Sequence, residues 1–285
     1  MNTSFKRKAL TCAVLAGLGV ATSAEAVFLN QSNTGQVLIY PYYTVQASGG
    51  NAYNTYISIT NTNSDAKVLK VRFREGKTSA EVLDFNLYLS PNDMWVGAIV
   101  PDGQGTDSPA RLVGAGDLSC TDPVIPAGGE PFKNFAYTSA PDSLPGTTLD
   151  RTREGYVEVF EMGSLSGTAA ANVTHPLALT TAPPNCAAMR SADGVTVPAP
   201  LAIAGNLLTP TGGLYGQGTL INVATGVDFG YMADALDGYA TNFGPYYFGV
   251  GSAFPLLGGA QVNLPSSIRI VNSANIGLAI TDLFA

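Results

Sequence analysis

Apolar and polar positions alternate most strictly between residues 66 and 90. Leu69, Val71 and Phe73 interleave with Lys70, Arg72 and Arg74, and Phe85, Leu87 and Leu89 interleave with Asp84, Asn86 and Tyr88. A period of two with one apolar face predicts antiparallel strands laid over a core. Upstream, Gln36–Val45 and Tyr56–Asn61 are rich in β-branched and aromatic residues, and the cluster Asn61-Thr62-Asn63-Ser64-Asp65 reads as a turn. Ser90-Pro91-Asn92-Asp93 is a second turn, and Met94–Val100 a further strand. Five short strands separated by turn clusters predict a sandwich.

Further strands are predicted at Gly155–Met162, Thr219–Val223, Val227–Tyr231, Pro245–Val250, Ile268–Val271 and Ile276–Ile280, and a short helix at Ala233–Leu236. Two stretches, about 101–150 and 163–213, are broken by Pro, Gly, Asp and Ser and predict long loops. The expected fold is all-β: an antiparallel β-sandwich, Ig-like or jelly-roll-like, in one domain over 27–285 with long Pro/Gly-rich loops and one short helix.

The first 26 residues break this pattern. Lys6, Arg7 and Lys8 precede an unbroken run of small and apolar residues, Ala9–Ala21, and Ala24-Glu25-Ala26 fits the small-x-small cleavage rule. The segment reads as a secretory signal peptide with the mature chain starting at Val27. The apolar run is shorter than the ~20 residues a spanning helix needs. Loss of Lys6, Arg7, Lys8 and Glu25 takes the formal net charge from −7 to −9. Acidity of that order suits a soluble exported protein and disfavours nucleic acid, which selects a basic surface.

Export changes the reading of the cysteines. Cys12 leaves with the signal, so Cys120 and Cys186 remain as an even pair in Pro-rich sequence, and a disulfide between them is expected. Charged residues make up only 12% of the chain, against the roughly 25% of ordinary globular domains, so each candidate site is quickly weighed. His175 is the single histidine and no Gly-x-Ser-x-Gly elbow accompanies it, so no catalytic triad is expected. A zinc site resting on that histidine and two disulfide-prone cysteines is equally poor. Glu154, Glu158 and Glu161 cluster on one predicted strand, but Glu158 and Glu161 are an odd number apart and point to opposite faces, which reads as a solvated strand rather than a glycosidase pair. Asp102, Asp107, Asp117 and Asp122 lie among glycines on one predicted loop. Calcium is the candidate ligand for such hard oxygens, and turn formation the plainer account. No other cofactor and no enzymatic activity are expected.

The segment Gly35–Ile99, through Gly35–Tyr43, Val71–Gly76 and Asp84–Pro91, resembles the opening domain of uncharacterised secreted or cell-surface proteins of Gram-negative bacteria, and the stretch Gly213–Leu236 is similar too. That resemblance implies export and β-structure and assigns no active-site residues. Composition alone, acidic and rich in Gly, Ala, Thr and Asn, is similar to that of surface-layer subunits. Val37, Leu38, Ile39, Tyr40, Tyr42 and Tyr43 form an uncharged β-forming run in which Pro41 predicts an edge strand, and an unguarded edge invites another chain. The expected role is therefore an extracellular or cell-surface structural protein, a self-assembling subunit of a layer, filament or matrix whose main partner is itself. An outer-membrane β-barrel and a carbohydrate-binding module that takes cell-surface polysaccharide are the alternatives.

Overall fold

A computed structural model describes residues 27–48, 51–103, 105, 107–114, 116–176, 181–190, 203, 205–239, 247–252 and 255. The predicted signal peptide, the predicted strands Ile268–Val271 and Ile276–Ile280, and part of Pro245–Val250 lie outside the described residues.

Sixteen strands are described: β1 (Phe28–Leu29), β2 (Val37–Thr44), β3 (Ala47–Ser48), β4 (Asn51–Ala52), β5 (Asn54–Asn61), β6 (Ala66–Glu75), β7 (Glu81–Leu89), β8 (Met94–Pro101), β9 (Ala110–Val113), β10 (Cys120–Asp122), β11 (Glu130–Pro131), β12 (Glu154–Leu165), β13 (Leu207–Leu208), β14 (Leu214–Asn222), β15 (Val227–Met232) and β16 (Asp234–Asp237). They form an antiparallel sandwich. The large sheet runs β1-β16-β2-β12-β6-β7-β10, with β13 added to β12, and the small sheet runs β11-β9-β8-β5-β14-β15. Strands β3 and β4 make a separate hairpin.

The predicted alternation sets the core. Leu69, Val71 and Phe73 of β6, Phe85, Leu87 and Leu89 of β7, and Val157 and Val159 of β12 face inward from the large sheet. They meet Ile57 and Ile59 of β5, Trp95 and Ile99 of β8, and Leu112 of β9. Close approach at one corner depends on glycine. A Cβ on Gly216 would stand 2.2 Å from the Tyr40 hydroxyl, and one on Gly218 would stand 2.2 Å from the Tyr231 ring.

Three expectations are corrected. Val37–Thr44 is not an edge: β2 pairs with β12 along most of its length, and Val37, Leu38 and Ile39 also pair with β16. Pro41 is tolerated inside the sheet because its missing N–H costs nothing there. The β12 register shifts between Gly155 and Val157 at that level, and the β16 pairing stops at Ile39. The expected helix at Ala233–Leu236 is instead the crossing from β15 to β16, with Ala233, Ala235 and Leu236 buried. Among the described residues the single α-helix, α1, is Gly167–Val173, inside a stretch expected to be loop. Alanine richness there supports a helix that the neighbouring Gly, Pro and Thr masked.

The long stretches also carry more order than expected. The first holds β9, β10 and β11. The second folds α1 and a short 3-10 turn at Cys186–Met189 onto the outer face of the large sheet and adds β13 to β12. A second, smaller core forms there from Val68, Tyr88, Met162, Leu165, Ala169, Val173, Met189 and Ile203. Among the described residues no helix is long and apolar enough to cross a membrane.

Candidate functional sites

Two regions concentrate unusual chemistry. The first is the outer face of the large sheet, where β6, β7 and β12 turn Lys70, Arg72, Arg74, Asp84 and Glu158 outward. Alternation predicts a solvated face, yet Lys70 and Arg72 are fully buried and Glu158 nearly so. Residues 247–252 and 255 lie on this face and cover it. Lys70 Nζ pairs with the Asp84 carboxylate and donates to the Gly249 carbonyl, while the Gly251 amide donates to Asp84. Arg72 pairs with Glu81 at 2.8 Å and donates to the carbonyls of Ser252 (2.9 Å) and Pro255 (2.7 Å). Arg74 pairs with Glu158 at 2.7 Å, and the Asn86 amide donates to the Tyr247 hydroxyl and the Phe248 carbonyl. Burial lowers the Lys70 ammonium against the opposing pull of Asp84, and lowers Arg72 despite Glu158 and Glu81. Burial and the neighbouring Asp84 raise the Glu81 carboxyl.

A related cluster lies where β6 and β12 begin and end. Lys67 and Glu161 are both fully buried and meet at 2.7 Å. Glu161 also accepts the amides of Thr211 and Gly212. Burial still raises its carboxyl, although Lys67 and those amides act the other way. The solvated-face reading of Glu158 and Glu161 is thus corrected: both are internal anchors.

The expected disulfide is present. Cys120 and Cys186 are joined, tying β10 to the 3-10 turn at 186–189 across a separation of 66 residues. The four aspartates are not brought together. Asp102 pairs with Arg111 at 2.8 Å, and Asp107 accepts the Leu149 amide. Asp117 accepts the amides of Val96 and Ser119, and Asp122 is buried on β10 in the other sheet. Among the described residues no group of three or more His, Cys, Asp or Glu side chains is arranged to hold a metal.

His175 has neighbours that sequence reasoning missed. Its Nδ1 lies 2.7 Å from Ser90 Oγ and 3.4 Å from Asp93 Oδ2. A relay needs the hydroxyl on one ring nitrogen and the carboxylate on the other; here both meet the same atom. Ser90 Oγ is also tied to the Val173 carbonyl and the His175 amide, and the residue is buried. This trio pins the end of α1 to the β7–β8 turn. The tyrosines divide likewise: Tyr40 and Tyr43 are buried in the core, donating to the carbonyls of Ser58 and Thr152, while Tyr42 stays partly exposed.

The second region is β15. It ends the small sheet, pairing with β14 on one side and with no strand among the described residues on the other. Val227, Phe229 and Met232 are 53%, 65% and 51% exposed. Gln217, Gly218 and Thr219 of β14, with Gly230, Tyr231 and Met232 of β15, line an open groove of about 410 Å³.

No family model, curated protein or solved structure matches this chain. The functional reading therefore rests on the two regions themselves. The ionic face is covered by Gly249, Gly251, Ser252 and Pro255 of the same chain. The other three sheet ends are brief or shielded: β1 is two residues long, β11 is Glu130–Pro131, and β10 is three buried residues under the disulfide-linked turn. Only β15 among the described ends is long and exposed, and Asp228 is its single charge.

Proposed function

We propose that this chain is an exported structural protein, a self-assembling subunit of a cell-surface layer, filament or matrix. The observation that carries the reading is the six-residue β15 edge, with Val227, Phe229 and Met232 exposed and one charge to guard it. Monomeric proteins blunt such edges with lysine, proline, bulges or cover, because unpaired backbone groups template another strand. Of the other three described ends, β11 carries Pro131, β10 lies under the disulfide-linked turn and β1 is only two residues long, which supports β15 as the place of contact. The secretory-type N-terminus and a disulfide, which persists in oxidising compartments, support export to the cell surface. The test is fractionation of producing cells followed by sedimentation of the exported protein. Assemblies recovered from the sheared surface are expected. A protein that stays monomeric at high concentration, with and without Ca²⁺, overturns the reading.

A second reading, polysaccharide binding, is favoured by the groove over Gly218 and Gly230. Tyr56 is the cross-strand neighbour of Thr219, and the Gln217 amide donates to the Tyr215 hydroxyl, so aromatic rings and amide groups share that region. Retardation of the exported protein in gels containing cell-surface polysaccharide, lost on Thr219→Trp, is its expected signature.

A further inference from the structure

We infer that the occupant of the β15 edge is β15 of a second copy, paired antiparallel about a two-fold axis through Gly230. This inference rests on the self-assembly reading and names its contact.

The backbone fixes which groups are available. The Ala233 amide donates to the Gly216 carbonyl at 2.9 Å, in register with the β14–β15 ladder. Hydrogen-bonded pairs alternate along an antiparallel ladder. Val227, Phe229 and Tyr231 therefore spend their backbone groups on β14, opposite Asn222, Leu220 and Gly218. Asp228, Gly230 and Met232 turn their N–H and C=O groups outward.

A two-fold axis perpendicular to the sheet sets residue i opposite a residue of the same parity in the second copy. Centred on Gly230, it faces Gly230 with Gly230, Asp228 with Met232 and Met232 with Asp228. All three outward-turned residues then find hydrogen-bonded partners. The same register sets Phe229 opposite Tyr231, an aromatic pair at the closer, non-hydrogen-bonded spacing. It also places the two Asp228 carboxylates four positions apart along the strand, about 13 Å, so the single edge charge never faces itself. Each copy's exposed Phe229 is covered by the other's Tyr231, which already stacks on its own Phe229 at 6.4 Å. The product is one continuous twelve-stranded sheet with no open β15 edge, an isologous and closed contact that makes a dimer, the building block of the larger assembly rather than a filament by itself.

Cysteine cross-linking of the exported full-length mature protein tests the register. A Cβ at Gly230 meets nothing closer than 3.9 Å, so Gly230→Cys fits without disturbance. Directly opposed Cα atoms in such a pair lie about 5.5 Å apart, within disulfide reach, whereas two Asp228→Cys thiols lie about 13 Å apart. Under mild oxidation Gly230→Cys is expected to give about tenfold more linked dimer than Asp228→Cys, and a mixture of Asp228→Cys with Met232→Cys is expected to link as heterodimer. Asp228→Pro, which deletes an outward N–H and leaves the β14 ladder intact, is expected to abolish dimer in sedimentation with an unchanged circular dichroism spectrum. If wild-type protein assembles but Gly230→Cys does not link and Asp228→Pro still assembles, this contact is wrong and the self-assembly reading stands. If wild-type protein does not assemble at all, both fall.

Discussion

The outer face of the large sheet and the β15 edge of the small one invert the usual placement of side chains. One buries Lys70, Arg72 and Glu158; the other exposes Val227, Phe229 and Met232. The difference lies in what the chain brings to each. Gly249, Gly251, Ser252 and Pro255 lay carbonyls and an amide onto the charged face, so each ion gains a partner as it loses water. No described segment reaches β15 on its open side, and its apolar side chains stay in solvent. Polarity does not decide burial here; the presence of a covering partner does.

Removing one member of a buried pair tests the covered side hardest. Glu161→Ala leaves two amides unpaired and the buried Lys67 ammonium with only the longer Asp65 contact (3.5 Å) and the Thr211 hydroxyl, and is expected to cost about 3 kcal/mol, lowering the melting temperature by about 10 °C. The double change Lys67→Met with Glu161→Leu should recover most of that loss, and a double variant as unstable as Glu161→Ala would show that the pair is not the cause. Next, Cys120→Ser with Cys186→Ser opens the 66-residue loop and is expected to cost about 4 kcal/mol by chain entropy. Protease cleavage should then begin within 163–190; unchanged cleavage would show that α1 and the 186–189 turn hold without the bond.

A smaller effect is expected with acid. Burial alone would raise the Glu75 carboxyl, but Arg151 and the amides of Ala80, Lys77 and Thr78 hold it below its ordinary 4.5. A lowered folded value contributes stability above that pH and loses it as pH falls through the folded value. Glu161 and Glu81, both raised, work oppositely: their contribution is present at low pH and lost as pH rises through their folded values. Glu75→Gln should therefore make the acid limb of urea midpoints measured between about pH 3 and pH 6 shallower. The smallest effect on folding belongs to the uncovered side. Phe229→Ser should change stability by less than about 0.5 kcal/mol, as at other surface positions, while weakening self-association measured by sedimentation. A large loss of stability would mean that Phe229 is packed rather than waiting for a partner.

Sequence alternation made the inner core legible, because Leu69, Val71, Phe73, Phe85, Leu87 and Leu89 obey a single rule. Thiol parity made the disulfide legible. The outer face was misread because alternation distinguishes the two sides of a strand without saying what covers the second; residues more than 160 positions away, Gly249, Ser252 and Pro255 among them, turn Lys70 and Arg72 from surface into interior. The edge was misplaced for a similar reason. Pro41 argues against a central strand on local grounds, and a bulge in β2 itself, where Pro41 and Tyr42 together face Tyr156 of β12, removes the objection. β15 carries no local mark of its position, since order within a sheet is set by pairing partners far apart in the chain.

That same long-range pairing sets a sequence of events. β12 lies between β2 and β6, both more than 80 residues earlier in the chain, and the carbonyls that seat Lys70 and Arg72 come later still. Pairing of such distant segments is slow, because the intervening chain must close on itself first. A nascent chain has made neither the centre of its large sheet nor the seat of its buried cations until most of its length exists. Until then β1 and β2 stand without partners while β3 to β11 can already pair among themselves, so the first strands to be made are among the last to be placed.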